Sequence, residues 1–234
     1  MPLLSRHRLH RLLRPAWLGT LRRLTPLSQH WGADRGTPVD RYYVRRFLDA
    51  HRGDIRGRVL EVKDAEYTRL YGSDVASSDV LDVDSSNPQA TIVADLAAAD
   101  AVPANSYDCF ILTQTLQFVY DTRAALGHAS RILRPGGVLL ATVPTVSRAI
   151  RKFEPIRDYW RFTPAACTQL FADRFGQHRI TVRAYGNILT SIAFLTGMAA
   201  EELSERERER DDPDFPLLVT IRAVKAGSSG RGRT

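Results

Sequence analysis

Acidic and polar residues occur at the ends of four apolar segments of this chain, at Glu61, at Asp84, at Asp95 and at the pair Thr113 and Gln114. Parallel strands share one carboxyl edge in a sheet, and ligands of such sheets bind beyond that edge. A carboxylate after the second strand suits the two hydroxyls of a ribose, and a polar group after the third can meet an adenine edge. Singly, each acid is more simply a turn or helix-capping residue. Their succession favours a nucleotide-cofactor site.

The elements that must position these groups are apolar strands that alternate with helices or turns. Near-continuous apolar strands are typical of a parallel sheet covered on both faces. The strands predicted in this way are RVLEV, SDVLDVD, ATIVADL, YDCFILTQTL and VLLATVP. Helices are predicted from about Val39 to Ala50 and from Asp121, which can cap its helix, and Arg134–Gly137 is expected to end the second helix and turn into the fifth strand.

The second half of the chain is expected to close this sheet differently. HRITVRAYG and FPLLVTIRAVKA are predicted to be an antiparallel pair at the end of the sheet. A helix is predicted to begin through Thr163 and Pro164, and a mostly apolar helix to run from Ile188 to Leu203, which would serve as core or as a homodimer interface. The predicted fold class is therefore α/β, a doubly wound, mostly parallel sheet with antiparallel strands at its C-terminal end and a helical N-terminal arm.

Charge is distributed unevenly along the 234 residues, whose net charge is +7. Residues 1–31 carry six arginines and no acid, which leaves about +1 (7 − 6) for the rest of the chain. A general nucleic-acid binder would spread basic groups over its folded face, so no nucleic-acid partner is expected. The basic arm is expected to be a solvated terminus, with weak contact to an anionic membrane surface as the alternative.

The predicted organisation is a basic N-terminal arm and loop over residues 1–36, one domain over residues 37–226, and a disordered tail over residues 227–234. Cys109 and Cys167 lie far apart and outside any Cys/His cluster, so neither a disulfide framework nor a metal site is expected, and a reducing cytoplasm suits the chain.

The loop after the first strand lacks the glycines that usually cradle a nucleotide cofactor. Lys63, Asp64 and Ala65 follow Glu61, and the next glycine is Gly72. Glycine serves at such a loop because the backbone approaches the ligand closely and adopts positive φ. Asp can visit the left-handed region, and the side chains of Lys63 and Asp64 could replace backbone contacts. The loop therefore predicts an altered cofactor site.

The order VLEV, VDSSNP, ADL, YDCFILTQTLQFV and RILRPGGVLLATVP resembles the class I S-adenosylmethionine-dependent methyltransferases over about residues 55–145. The segments DRGTPVDRYY and DYWRFT resemble a type 11-like bacterial subgroup associated with glycans or secondary metabolites. The resemblance implies a Rossmann-like fold, S-adenosylmethionine as cofactor and a methyl-transfer reaction.

The resemblance also implies roles for the strand-end residues. Glu61 would support the loop that holds the methionine part of the cofactor, Asp84 would bind the ribose, and Asp95 would lie near the adenine amino group. Thr113 and Gln114 would form the wall that faces the sulfonium. Lys63 and Asp64 take the places of the family's glycine loop, and their side chains would replace its backbone contacts to the methionine part.

A dehydrogenase is the competing enzyme class for this architecture. It would require Gly-x-Gly-x-x-Gly after a strand, and no such stretch occurs. The sequence also offers no Tyr-x-x-x-Lys pair for hydride chemistry, so a dehydrogenase is disfavoured.

Residues on the methyl-acceptor side must come from loops that cover the strand ends. The segment Arg41–Tyr43 can lay an aromatic ring or a guanidinium over the cofactor, and Tyr42 is the candidate cofactor-binding residue in it. The segment after the fifth strand offers Asp158 as the first candidate base, with His30 as the second, because a protonated nucleophile needs a base. Tyr159, Trp160 and Arg161 are candidate substrate-binding residues. A hydrophobic plug under the last strands is the alternative for Tyr159, Trp160 and Phe162, and a packed loop corner is the alternative for His30 and Trp31.

Three functions remain open on the sequence alone. The first is methyl transfer to an oxygen or nitrogen of a small molecule or glycan. The second is a methyltransferase-like protein with non-methyl chemistry or none. The third is a binding or scaffold protein that uses the arginine-rich arm.

Overall fold

A computed structural model describes residue 19 and residues 22–151 and 157–227. Within these ranges a seven-stranded sheet has helices on both faces. The helices are α1 (Val39–Ala50), α2 (Glu66–Tyr71), α3 (Thr122–Ile132), α4 (Pro164–Phe175), α5 (Ile188–Thr196) and α6 (Glu205–Glu209). The strands are β1 (Gly57–Val62), β2 (Val75–Asp82), β3 (Ile92–Val93), β4 (Tyr107–Thr113), β5 (Leu133–Pro144), β6 (Ile180–Tyr185) and β7 (Leu218–Val224). Short 3₁₀ turns connect several of them.

The sheet order is β3-β2-β1-β4-β5-β7-β6, and β7 alone runs antiparallel to both of its neighbours. From β1 the strands are added on one side as β2 and β3, and the chain then crosses over to place β4 on the other side of β1, parallel to it. The crevice between β1 and β4 is the switch point where doubly wound sheets bind ligands. The predicted doubly wound sheet and the antiparallel pair of the last two strands are confirmed.

The core consists of two layers because successive residues of a strand point to opposite faces. On one face Val59, Cys109 and Ile111 pack against Val44 and Phe47 of α1. On the other face the neighbouring strand residues Leu60, Phe110 and Leu112 pack against α3 and α4. The spacing of the buried residues of α1, at positions 39, 43, 44, 47 and 48, is that of one helix face.

The predicted caps are confirmed where helices begin. The Asp121 carboxylate accepts a hydrogen bond from Ala124 N at 2.9 Å at the start of α3. The Thr163 hydroxyl accepts one from Ala166 N at 3.2 Å, and Pro164 occupies the first turn of α4.

Several predicted boundaries differ from the structure. The second strand ends at Asp82 rather than Asp84, and only Ile92 and Val93 of ATIVADL are strand. The apolar helix, which was expected to reach Leu203, ends at Thr196 because Gly197 has the left-handed φ of +78°. The residue is glycine because a Cβ at this position would lie 2.6 Å from Ser28 O.

The turn predicted for Arg134–Gly137 is wrong, because this Arg-Pro-Gly-Gly segment lies inside β5. The register shifts between Tyr107↔Leu133 and Cys109↔Val138, so extra residues of β5 bulge outward opposite Asp108. Arg134 pairs with Asp108 at 2.7 Å and holds the bulge in place.

The loop of residues 22–38 packs against the end of α5. Leu27 N donates to Thr196 O at 2.6 Å, and Ala200 N donates to Thr37 O at 2.7 Å. Pro38 and Ala199 form an isolated antiparallel β-bridge. The helical arm predicted near the N-terminus and the tail beyond residue 227 lie outside the described residues.

Candidate active site

Glu61 is the buried anchor of the loop between β1 and α2. Its carboxylate accepts hydrogen bonds from Tyr67 N at 3.0 Å, Thr68 N at 2.8 Å and the Thr68 hydroxyl at 2.7 Å. Only 2% of the residue is exposed, and burial raises its pKa although the hydrogen bonds from Thr68 and Tyr67 oppose the rise. All these contacts are internal, so the geometry suits the loop-supporting role that the resemblance implies.

Lys63 holds the backbone of this loop in the left-handed region, with φ +77°. Its N–H donates to Leu81 O at 3.0 Å, and its carbonyl accepts from the Asn87 side-chain amide at 2.6 Å. Asp64 accepts a hydrogen bond from Glu66 N at 2.8 Å. A positive φ is the conformation for which glycine is normally used, so the loop keeps that backbone shape with a lysine. The exposed Lys63 side chain is free to meet a ligand.

Two carboxylates follow one another at the end of β2. Asp82 accepts a hydrogen bond from the Asn87 side chain at 2.6 Å, and this amide therefore ties the β2 end to the Lys63 loop. Asp84 is exposed and accepts from Ser86 N at 2.8 Å and from the Ser86 hydroxyl at 2.7 Å, hydrogen bonds that lower its pKa. Sequence reasoning selected Asp84 alone and missed Asp82 and Asn87, although the pattern LDVD places both acids at the strand end.

Asp95 follows β3 and caps the 3₁₀ turn of residues 96–98. Its carboxylate accepts from Ala97 N at 2.8 Å, and the residue is exposed. This is the capping role that the sequence offered as the alternative, and the adenine contact stays a prediction.

The end of β4 is strained. Gln114 has φ +48°, and its N–H donates to Thr142 O at 2.8 Å. Its side-chain amide lies 3.4 Å from the Thr142 hydroxyl, whereas the Thr113 carbonyl accepts from Thr115 at 2.9 Å. Residues in sparsely populated backbone regions concentrate at functional sites, so the observed strain supports Gln114 as a site residue.

The structure places Tyr42 against α6. Its hydroxyl donates to Glu209, and the Arg208 guanidinium lies 4.7 Å from its ring centroid. The residue beside the Lys63 loop is instead Arg41, whose guanidinium donates to the Tyr67 hydroxyl at 3.1 Å, while Tyr67 N binds Glu61. Neighbouring helix residues point about 100° apart. Of the two side chains that the sequence offered, the Arg41 guanidinium lies on the side of α1 that faces this loop, and the contact of Tyr42 with the cofactor stays a prediction.

Asp158 and Arg161 form a two-pronged ion pair in the loop after β5, with N···O distances of 2.6 and 2.8 Å. Asp158 also accepts from Ile150 N at 2.9 Å, and 4% of its side chain is exposed. Burial opposes ionisation, but the hydrogen bonds from Arg161 and Ile150 prevail and lower the pKa of Asp158. A paired carboxylate with a lowered pKa is a poor proton acceptor, so this geometry favours loop support for both residues. The base role of Asp158 and the substrate role of Arg161 stay predictions.

Three aromatic rings form an exposed platform, consisting of Tyr120, Tyr159 and Trp160. The ring centroid of Tyr120 lies 5.2 Å from that of Tyr159 and 5.9 Å from that of Trp160. The Trp160 indole N–H donates to Val119 O at 3.1 Å, which fixes its orientation. The exposures of 69%, 43% and 39% rule out a hydrophobic plug for these rings, whereas Phe162 is 6% exposed and packs in the core, as the plug alternative expects. The substrate role of Tyr159 and Trp160 stays a prediction, and sequence reasoning did not select Tyr120.

His30 is exposed, and its backbone N–H donates to the Ser28 hydroxyl at 2.9 Å. The neighbouring Trp31 lies beneath the Arg148 guanidinium, 3.6 Å from its ring centroid. Trp31 and Arg148 line a cavity of about 220 Å³ between the N-terminal loop, α5 and the segment after β5, which the sequence did not reveal. His30 does not line it, and its role as a base stays a prediction.

Among the described residues no group of three His, Cys, Asp or Glu side chains could hold a metal ion. In the same part of the chain no helix has the length and apolar character required to cross a membrane.

Residues 53–141 match the family model described as "Methyltransferase domain". The comparison with curated protein sequences gave no match.

Solved structures with the same fold are distant in sequence. An S-adenosylmethionine-dependent methyltransferase from Archaeoglobus fulgidus is similar at a TM-score of 0.52 and 12% identity, over 79% of this chain and 94% of that one. One from Mesorhizobium loti is similar at 0.50 and 13%, over 83% and 100%. The [4+2]-cyclase SpnF is similar at 0.50 and 14%, over 83% and 85%. At these identities the structures establish the fold.

Residues 53–141, less than half of the chain, are thus similar to a methyltransferase domain, and the sheet order is that of the Rossmann-like class I fold; the match supports a methyltransferase that uses S-adenosylmethionine.

Proposed function

We propose that this enzyme transfers a methyl group to an oxygen or nitrogen of a small-molecule or glycan acceptor. The observation that carries the proposal is the aromatic platform of Tyr120, Tyr159 and Trp160 at the carboxyl edge of the sheet. Large exposed aromatic surfaces are unfavourable in water and usually mark binding sites. Flat rings with polar edges suit the face of a sugar or of another ring-shaped acceptor.

The residues around the β1 and β2 ends fit S-adenosylmethionine. Lys63 keeps the backbone shape of a glycine loop, and its ammonium suits the carboxylate of the methionine part. Asp82 and Asp84 supply two carboxylates for the hydroxyls of a ribose. Arg41 lies beside the same loop as a second cation. When bound, the cofactor supplies a methyl group activated by a sulfonium, while the chain orients the partners and excludes water.

The acceptor is proposed to bind beside the loop after β5. The Asp158–Arg161 pair connects the two described parts of this loop, since Arg161 also donates to Arg148 O at 2.7 Å and Asp158 accepts from Ile150 N at 2.9 Å. The backbone N–H groups of Tyr159 and Trp160 bind Gln117 O, which attaches the platform to the end of β4. Such fixed positioning is the main contribution that a protein makes to an in-line displacement.

A second candidate function is non-methyl chemistry that uses the same cofactor site. The observation that favours it is the lysine in place of the loop glycine, and the cyclase SpnF provides an example of another reaction on this fold. Formation of S-adenosylhomocysteine separates the two, because methyl transfer produces it and the alternative does not. A non-catalytic scaffold role would bind neither compound.

The further context of the enzyme is also proposed. The flanks DRGTPVDRYY and DYWRFT support a bacterial glycan or secondary-metabolite pathway and a cytoplasmic location. The basic arm remains a candidate for weak membrane contact, although it lies outside the described residues. Exposed Ile188 and Leu195 on α5 support a homodimer.

The first test measures thermal unfolding with and without S-adenosylmethionine or S-adenosylhomocysteine. Ligand at 100 times its dissociation constant should add about 2.7 kcal/mol to the free energy of unfolding. For a domain of this size that corresponds to a rise in Tm of roughly 5–10 °C.

Variants of the strand-end acids localise the effect. Asp82→Ala and Asp84→Ala should reduce the rise in Tm, whereas Asp100→Ala, an exposed acid in a turn, should leave it intact. A folded wild-type protein without any ligand-induced rise would refute the cofactor site. An undiminished rise in both acid variants would refute its assignment to the β2 end.

A further inference from the structure

Gln117 carries a buried polar atom without a partner at the carboxyl edge of the sheet. It lies in the 3₁₀ turn of residues 116–118 directly after β4, and 6% of the residue is exposed. Within the described part of the chain its side-chain oxygen Oε1 makes no hydrogen bond. Buried polar atoms are nearly always paired, so an unpaired one at a functional edge requires an explanation.

The orientation of the Gln117 amide follows from its one hydrogen bond. The side-chain nitrogen Nε2 donates to Gln114 O at 2.8 Å, and a carbonyl oxygen could not bind there because both atoms would be acceptors. The unpaired atom is therefore the oxygen. Its missing partner must be a hydrogen-bond donor.

The surroundings connect this oxygen to the acceptor side of the site. The Gln117 backbone carbonyl accepts hydrogen bonds from Tyr159 N at 2.8 Å and Trp160 N at 3.2 Å, so the residue and the aromatic platform form one unit. Gln114, which holds the amide, is the residue with φ +48°. The Thr145 hydroxyl, just past the end of the adjacent β5, is also buried without a partner among the described residues.

We propose that Oε1 of Gln117 accepts a hydrogen bond from the nucleophilic hydroxyl or amine of the methyl acceptor. This inference rests on the proposed function and narrows its substrate class to neutral groups that carry a hydrogen on the attacking atom. A carboxylate would be repelled by the amide oxygen, and a carbon nucleophile would leave it unpaired.

The hydrogen bond orients the attacking lone pair toward the methyl group. A new bond forms between the nucleophile and the methyl carbon, the carbon–sulfur bond breaks, and its electron pair stays on sulfur. An amide oxygen is too weak a base to keep the released proton, which passes to the solvent as the methylated product leaves the site. Gln117 thus positions the nucleophile and stabilises the positive charge that develops on it.

The experiment compares Gln117→Leu and Gln117→Glu with wild type and with Gln169→Leu, the same replacement at an exposed site on α4. Methyl α-D-glucopyranoside, catechol and aniline provide neutral hydroxyl and amine probes, with indole as the carbon nucleophile and benzoate as the carboxylate. Formation of S-adenosylhomocysteine reports transfer, and calorimetry reports binding of S-adenosylhomocysteine and of each probe.

Wild type is expected to act on a hydroxyl or amine probe. Gln117→Leu should lose about 10- to 100-fold in transfer rate, the size expected for a hydrogen bond to a charged group. Its affinity for S-adenosylhomocysteine should stay within about twofold, while binding of the probe weakens. Gln117→Glu should recover part of the rate with a new pH dependence, because its carboxylate can take the proton, an effect that a purely structural role would not produce.

Several results would overturn the inference while the cofactor site stands. For Gln117→Leu, these are a rate of methyl transfer equal to that of wild type, or a loss of cofactor binding. For wild type, they are a preference for indole or benzoate, or cofactor binding without transfer to any hydroxyl or amine probe. If wild type shows no cofactor binding, the proposed function itself fails, and this is recognised before any variant is compared.

Discussion

The backbone of Lys63 provides the sharpest test of how the chain shapes the loop between β1 and α2, which is proposed to hold the cofactor. A non-glycine residue in the left-handed region costs about 1–2 kcal/mol, whereas glycine adopts φ +77° freely and loses more entropy on folding, about 0.5–1 kcal/mol. The difference predicts that Lys63→Gly is more stable than Lys63→Ala by about 1 kcal/mol. Both variants lack the lysine charge, so their comparison isolates the backbone.

Thermal and urea unfolding of the two variants measure this difference. For a domain of this size, 1 kcal/mol corresponds to roughly 2–4 °C in Tm. Arg69, an exposed residue inside α2, provides the matched pair with the opposite expectation, because alanine there should be more stable than glycine by about 1 kcal/mol. Equal or lower stability of Lys63→Gly relative to Lys63→Ala would refute the claim that the loop retains a glycine conformation.

The remaining predictions concern three carboxylates. Glu61→Gln should lower the free energy of unfolding by about 1–3 kcal/mol, because the amide nitrogen of the glutamine would face a hydrogen-bond donor in a buried site. An unchanged free energy of unfolding in a urea titration would contradict the anchoring role of Glu61. The hydrogen bond from Arg35 lowers the pKa of Glu202 to about 2. The ionised Glu202 carboxylate therefore stabilises the fold fully above pH 4.5, and this stabilisation is lost as the pH falls toward 2. The Tm of Glu202→Gln should accordingly decline less than that of wild type over this interval, and parallel curves would argue against the pair. Asp158→Asn should destabilise the fold by about 1–3 kcal/mol, since it leaves Arg161 with a weakened partner; loss of methyl transfer at unchanged Tm would instead support a base at this position.

Much of the sheet could be predicted because apolar strands and helix caps are local signals. Val59 to Val62, the Asp121 cap and the antiparallel last strands are readable from periodicity and residue type alone. The Arg134–Gly137 bulge was not, since its glycines are typical of a turn and only the pairing of β5 with β4 shows that the strand continues through them.

The site was less predictable because it depends on which direction each side chain takes. The choice between Arg41 and Tyr42 requires the rotation of α1 about its axis, which tertiary packing sets. The ion pair of Asp158 with Arg161 was not predicted, because two opposite charges three residues apart in a loop do not by themselves indicate a buried pair. The unpaired oxygen of Gln117 has no sequence signature, because a glutamine in an apolar segment does not show which of its two polar atoms lacks a partner.

The sheet order has a consequence for synthesis of the chain. β6 is made before β7, yet it pairs with β7, and β7 also covers the edge of β5. While residues 180–217 leave the ribosome, β6 lacks this partner and the apolar edge of β5 is open to other strands. The last strand therefore acts as a closing element late in translation, and a chain that stops before Leu218 should aggregate even though every residue of the cofactor loop has been made.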